Sequence, residues 1–253
     1  MSELLYESTD GVAVVTINRP AQLNAMNTAV REGLRDAWHR FEADSSARVA
    51  ILTATGEKAF CAGRDLKEAA NFGTGAIPRD YVPILGDNIH VSKPVIAAVN
   101  GYAFAAGFVL AQMCDMCVAG TNASFAVTEV KMGRGVPWAV PLVHMIPQKV
   151  MLELLLTGAP ITAQRAYEIG LVNHVVSSEL VLPKAQELAR LIIAGAPLSV
   201  AAARRVVQLA TEMGQSAALD SAYEIFEPVY ASEDAMEGPR AFAEKRPPRW
   251  KGR

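Results

Sequence analysis

Two turns built from small residues are the parts of this sequence that could do chemistry. In the stretch Pro94 to Gly120, the run Val95-Ile-Ala-Ala-Val99 is apolar and rich in β-branched residues, as a buried strand is, and Asn100-Gly101 ends it. From Phe104 to Met113 small and large apolar residues recur at helical spacing, so the chain passes from strand to helix across Tyr102 to Gly107. Ala105, Ala106 and Gly107 let a ligand approach the main chain closely. The first amides of a helix lack partners within it and carry partial positive charge, so a developing anion is what such a turn can hold. A second turn of the same kind, Ala62-Gly63, lies in Lys58 to Glu68 between a short strand and a short helix.

Other chemistries lack their residues. There is no Gly-x-Ser-x-Gly elbow, no phosphate loop ending in Gly-Lys-Ser/Thr and no His-Glu-x-x-His, and Gly133-x-Gly135 lacks the rest of a dinucleotide fingerprint. Cys114 and Cys117 form a lone Cys-x-x-Cys without a second pair or suitably spaced histidines, which reads as core thiols and no metal site. The odd count of 3 cysteines fits free thiols in a reducing, cytoplasmic setting. No apolar run is long enough to span a bilayer, and the first residues lack the regions of a signal peptide, so no membrane association is expected. A net charge of −2 argues against nucleic acid, whose phosphates need clustered Lys and Arg; only the tail from Lys245 to Arg253 is locally basic.

With 253 residues, 51% of them hydrophobic, the chain can bury one large core or two modest ones. Leu4 to Ser8 and Val12 to Asn18 read as strands joined by Asp10-Gly11, a hairpin signal. Thr28 is the expected N-cap of a helix to about Ala43, with Val30, Leu34, Ala37, Trp38 and Phe41 on one apolar face. Val49 to Ala54 returns as a buried strand, giving the strand–helix–strand unit of parallel sheets. Asn71 to Pro83 reads as a loop near a ligand, and Cys117 to Ala119 and Ser124 to Val127 as short strands. Beyond Gly135 the periodicity is helical: Val140 to Met145, Lys149 to Leu156, Thr162 to Ile169 and Val181 to Ile193. After the break at Gly195-Ala-Pro197 come Ser199 to Met213, Ser216 to Tyr230 and Asp234 to Lys245.

Six segments, in order and in register, carry a resemblance. Asn18-Arg-Pro with Asn24-Ala-Met26, Phe60-Cys-Ala-Gly-Arg-Asp-Leu-Lys67, Pro94-Val-Ile-Ala-Ala-Val-Asn-Gly-Tyr-Ala103, Phe125-Ala-Val-Thr-Glu129, Leu155 to Asn173, and Glu237 to Arg246 resemble the enoyl-CoA hydratase/isomerase (crotonase) superfamily. The ending Phe242-Ala-Glu-Lys-Arg246 with Trp250-Lys-Gly-Arg253 is most similar to its carnitinyl-CoA (crotonobetainyl-CoA) dehydratase branch. The resemblance implies an α/β fold: a crotonase-like spiral of repeated β-β-α units over residues 1–195, then a helical oligomerisation region over 196–253 that makes trimers or hexamers. It implies an acyl-CoA substrate, with coenzyme A arriving as part of the substrate and no tightly bound cofactor.

For the site, the resemblance implies that the main-chain amides of Arg64 and Ala106 hold the thioester oxygen while Glu129 moves the proton. Hydratases of this family use two glutamates, and the first of them falls here on Val109. Glu129, flanked by Val127 and Val130, would be partly desolvated, which raises a carboxyl pKa towards the range useful for proton transfer. One carboxylate suits a proton shuttle, as in the family's isomerases; water addition would need another polar group, for which Arg64, Glu68, Tyr81, His90, Arg134 and Trp138 are the choices. Arg134 and Trp138 are expected in the acyl pocket, Ala25, Ala62 and Leu66 beside the adenine and pantetheine, and Phe242 and Lys245 against adenine and phosphates, from this subunit or a neighbour. Hydratase (a lyase) or isomerase, as in fatty acid metabolism, is the leading reading. A thioester hydrolase or carbon–carbon bond enzyme of the same superfamily, and a non-catalytic acyl-CoA or RNA binder, are its rivals.

Overall fold

A computed structural model of the chain describes residues 2–69 and 77–253. It opens on the hairpin β1 (Leu4–Thr9) and β2 (Val12–Ile17), whose turn residues Asp10 and Gly11 both have positive φ, at 51° and 81°. That conformation matches the twist of the paired strands. Helix α1 (Thr28–Ala43) buries the five residues expected of its apolar face. Its cap is Asn27, one residue before the expected Thr28: the Asn27 side chain accepts from Val30 N–H at 2.9 Å. Thr28 N–H is taken by the Glu68 carboxylate instead, also at 2.9 Å.

The next segments repeat one pattern. Strands β3 (Val49–Ala54) and β4 (Ala59–Cys61) lead to α2 (Leu66–Ala69). Strands β5 (Val95–Val99) and β6 (Tyr102–Phe104) lead to α3 (Ala106–Gln112), and β7 (Met116–Gly120) and β8 (Ser124–Ala126) lead to a 3₁₀ segment over Thr128–Met132. In each repeat the first strand joins one sheet and the second joins another. After a second 3₁₀ segment, Pro137–His144, come α4 (Gln148–Thr157), β9 (Ile161–Thr162), α5 (Ala163–Glu168), β10 (His174–Val176) and α6 (Val181–Ile193). The larger sheet has the order β1-β2-β3-β5-β7-β10, parallel except for the hairpin, and the smaller β4-β6-β8-β9, parallel except for β9. The fully buried β3 and β5 are apolar throughout or nearly so because both faces of the large sheet are covered. One face packs with α1 and α3 in the main core. On the other, Val49, Ile51, Ile96, Ala98 and Val118 meet Val181, Ala185 and Ala189 of α6.

Three helices close the chain: α7 (Pro197–Ala210), α8 (Gln215–Tyr230) and α9 (Glu233–Ala243). Helix α7 starts two residues before the expected Ser199 because Pro197, with its φ preset and no N–H to lose, suits the first helical position. It is tied to the core by Arg204, which donates to Asp115 and to the Val91 carbonyl, both at 2.7 Å. The last residues fold back: Trp250 donates to the Ala194 carbonyl at 2.7 Å, and the Asp234 carboxylate accepts from Lys251 and Gly252 N–H. No single helix among the described residues is long and apolar enough to cross a membrane. The expected loop Asn71 to Pro83 lies partly outside the described residues; within its described end, Tyr81 is 5% exposed.

Candidate active site

Strands β4, β6 and β8 are parallel neighbours, so the chain leaves all three at the same edge of the small sheet. After β4 comes Ala62-Gly63-Arg64, after β6 Ala105-Ala106, and after β8, three residues past Ala126, comes Glu129. The first two turns touch: a methyl carbon built on Gly63 would lie 3.2 Å from Ala105 Cβ, 3.4 Å from Phe104 O and 3.9 Å from Ala106 N. Arg64 is held beside the entry to α1, since Met26 N–H donates to Gly63 O at 2.8 Å and Asp65 N–H to Met26 O at 3.0 Å. Asn24, 1% exposed, fixes this wall by donating to the carbonyls of Thr55 and Ala59 and accepting from Arg19 N–H.

The second turn is conformationally costly. Ala105 has φ 51° and ψ −114°, a region that a residue with a Cβ rarely enters. The bend aims the chain from β6 into α3. The first intrahelical bond, Val109 N–H to Ala105 O at 3.1 Å, leaves the amides of Ala106, Gly107 and Phe108 ahead of the helical ladder.

A cavity of about 2600 Å³ runs past both turns and Glu129. Ala25, Ala62, Arg64, Leu66, Ala106, Glu129, Arg134 and Trp138 all line it, as do Tyr81 and His90. The Glu129 carboxyl is half-buried, and burial pushes its pKa above the ordinary carboxylate value; its own backbone N–H and the Trp138 side chain, as hydrogen-bond donors, oppose the rise. One of its oxygens, Oε2, is buried without a protein partner. Trp138 rests against Phe108, with ring centroids 5.9 Å apart. The Arg64 guanidinium stacks on Tyr81, 4.6 Å from the ring centroid, and Arg31 lies over the same ring at 3.9 Å.

Other expected residues lie elsewhere. Val109 is 2% exposed on α3 and is not part of the cavity lining. Phe242, 89% exposed, and Lys245 stand at the end of α9, away from the cavity of their own chain. Glu68 is occupied by the start of α1. The cavity also has a wall with no sequence signal, from Leu198, Arg204 and Gln208 of α7 and Ile225 of α8, because only the fold-back of these helices brings them there. Gln112 lines the cavity too, and its sequence signal is that of a lone polar residue in the apolar run Phe108 to Met113. No group of three or more metal-ligating side chains occurs among the described residues.

Comparison with known proteins gives a consistent answer. The enoyl-CoA hydratase/isomerase family model matches residues 7–253. Carnitinyl-CoA dehydratases from Proteus mirabilis and Salmonella enteritidis are 40% and 39% identical over 268 residues, covering 100% of this chain and of theirs. Among solved structures, an enoyl-CoA hydratase from Mycobacterium tuberculosis H37Rv superimposes with a TM-score of 0.92 at 38% identity, over 100% of both chains. A probable enoyl-CoA hydratase/isomerase from Mycobacterium abscessus gives 0.90 at 40%, again over 100% of both. A match over nearly the whole length, with identities this high, means that the chain belongs to the enoyl-CoA hydratase/isomerase family.

Proposed function

We propose that the chain acts on an acyl-CoA thioester through an enolate, with the amides of Arg64 and Ala106 holding the thioester oxygen and Glu129 moving the proton. The observation that supports this is the convergence of the three strand ends on one cavity, which sets two amide-bearing turns beside a half-buried carboxyl. Removing a proton next to the carbonyl places negative charge on its oxygen. A donor aimed at that oxygen in a water-poor site is worth roughly 3 kcal/mol. Glu129, with its pKa raised by burial, takes the proton from one carbon and returns it to another, leaving the double bond displaced.

By the family resemblance the hydratases' other glutamate falls on Val109, whose apolar side chain brings no second carboxylate to the cavity, and this favours double-bond isomerisation over water addition. Coenzyme A comes and goes with the substrate, and the site needs no other cofactor. We place residues 196–253 in an oligomerisation region, trimeric or hexameric, because Val207, Leu219, Tyr223, Tyr230, Met236 and Phe242 leave its helices with exposed apolar side chains. Contacts of Phe242 and Lys245 with coenzyme A would then come from a neighbouring copy, and the enzyme would work in the cytoplasm.

The test is incubation with saturated, 2-enoyl and 3-enoyl CoA thioesters in deuterated water. Deuterium uptake with double-bond movement and no hydration is expected. Rapid hydration would overturn the isomerase reading, and full activity in Glu129→Gln would overturn the role of Glu129.

A further inference from the structure

Arg64 enters the site through its N–H, but its side chain also stands on the cavity wall, half-buried. Its guanidinium lies 4.6 Å from the centroid of the Tyr81 ring, and a second guanidinium, that of Arg31 on α1, lies 3.9 Å from the same centroid. Tyr81 is 5% exposed and lines the cavity as well. One arginine on a buried ring is accounted for by cation–π attraction, whereas a second brings like charges together at short range. The carboxylates nearby in the chain are engaged elsewhere. Asp65 is bridged to Arg19 at 3.1 Å and accepts from Lys67 N–H, and Glu68 accepts from the N–H and the hydroxyl of Thr28. Asp87 and Asp115, further along the wall, are bridged to Arg79 and Arg204. The wall's remaining described carboxylates, Glu129 and Glu212, are outnumbered by Lys67, Lys131, Arg134 and Arg205. Positive charge gathered on the wall of a cavity draws an anion to it.

The source of that anion follows from where Arg64 stands. In the reading given above its N–H holds the thioester oxygen, so its guanidinium lies within one side chain's length of the acyl group. The phosphates of coenzyme A lie beyond the pantetheine arm, which is much longer than an arginine side chain. We propose that the Arg64 guanidinium, held on Tyr81, reads a carboxylate on the acyl group, so that the substrate is a monothioester of a dicarboxylic acid. Arg64 and Tyr81 each make further contacts within the protein. A guanidinium carries five donors in one plane, so contact with a ring is compatible with in-plane bonds to both oxygens of a carboxylate. This inference rests on the acyl-CoA reading and adds the class of acyl group to it.

The experiment is calorimetric binding of saturated thioesters, which have no double bond to move or hydrate. Succinyl-, glutaryl- and adipyl-CoA are each compared with the neutral half-amide of the same length at pH 7, and the pantetheine thioesters of the same acids and half-amides serve as phosphate-free probes. The variants are Arg64→Met, Arg64→Lys, Tyr81→Phe and Tyr81→Leu, with Tm as the check on folding. At least one acid should bind the parent about tenfold more tightly than its half-amide, with the same preference among the pantetheine thioesters. Arg64→Met should abolish the preference, and Arg64→Lys should keep part of it, because a point charge lacks the planar fork. Tyr81→Phe should keep it and Tyr81→Leu should lower it, since the ring face is what holds the guanidinium. Equal binding of acid and half-amide by the parent, a preference that survives Arg64→Met, or one that Tyr81→Leu leaves untouched would overturn the proposal. So would an Arg64→Met protein that binds all coenzyme A thioesters more weakly and all pantetheine thioesters as before, because the guanidinium would then serve a phosphate. The parent's preference decides the matter even if Arg64→Met does not fold. Binding of no thioester at all would overturn the acyl-CoA reading together with this one, whereas equal binding of acid and half-amide would overturn this one alone.

Discussion

Gly107 packs its α-carbon directly on the peptide of Cys61: a methyl group there would sit 2.0 Å from the Cys61 carbonyl oxygen and 2.8 Å from its carbon. The start of α3 therefore lies backbone to backbone on the end of β4, and this contact keeps the Ala106 amide beside the Gly63-Arg64 turn. Gly107→Ala cannot be relieved by a side-chain rotation. It should cost about 3 kcal/mol or more in urea unfolding. Gly135→Ala, where nothing lies within 4 Å and φ is ordinary, is the matched control and should stay within about 0.5 kcal/mol. Equal effects of the two would mean that α3 does not sit against β4 in this way.

Ala105 carries the strain of the same bend. With φ at 51°, its Cβ is penalised, and glycine would adopt the conformation freely. Ala105→Gly should stabilise the protein by about 1 kcal/mol, relief of strain outweighing the looser unfolded chain. A lowered urea midpoint with unchanged slope would show that the turn is not strained.

How far these relationships could be read from the sequence depended on the size of the element. The α1 face from Val30 to Phe41 spans three turns, and Val49 to Ala54 is a six-residue apolar run, so each announces its own period. Strands β6, β9 and β10 have three, two and three residues, too few to show alternation, so the sequence carries no strand signal for them. For that reason Tyr102 to Phe104 reads as part of the passage into the helix, whereas it forms β6. Small residues at 62–63 and 105–107 did point to close approaches of the main chain. That the two turns meet is a property of the parallel pairing of β4 with β6, which no local pattern encodes. The same holds for Arg204 and Ile225, whose place beside the cavity follows from the fold-back of α7 and α8.

The cysteine pair gives a chemical check on burial. Desolvation pushes Cys61 up to about 11 and Cys117 up to about 12, and Cys114 is raised by burial with the Asp115 carboxylate adding to it. Thiolates are the reactive form, so Cys61 and Cys117, both buried, should not react with a thiol reagent at pH 8 in the native protein, whereas Cys114, partly exposed on the cavity wall, should react more slowly than a free thiol. All 3 should react in urea. Fast native labelling of Cys117, which lies beside Phe108 and Ala111, would contradict the packing of α3 against β7 and revive a redox reading of the Cys-x-x-Cys spacing.

Glu129 should make the folded protein pay in stability for its chemistry, and the sign can be tested. Burial raises its pKa in the fold, with the Trp138 donor only partly offsetting it. An acid whose pKa is raised on folding contributes stability in full below its unfolded value, and that contribution is lost as pH climbs through the folded value. Glutamine keeps the shape without ionising. The urea midpoint of Glu129→Gln should therefore match that of the parent at about pH 4 and below, then pull ahead of it as pH rises, levelling off once Glu129 is ionised in the fold. Over the same range its turnover should be reduced about a hundredfold or more, the usual contribution of a positioned acid–base group. A flat difference, or one favouring the parent at high pH, would mean that Glu129 meets water or a cation instead of the desolvated wall of the cavity. A variant that is both more stable and nearly inactive is what a carboxyl placed there for proton transfer predicts.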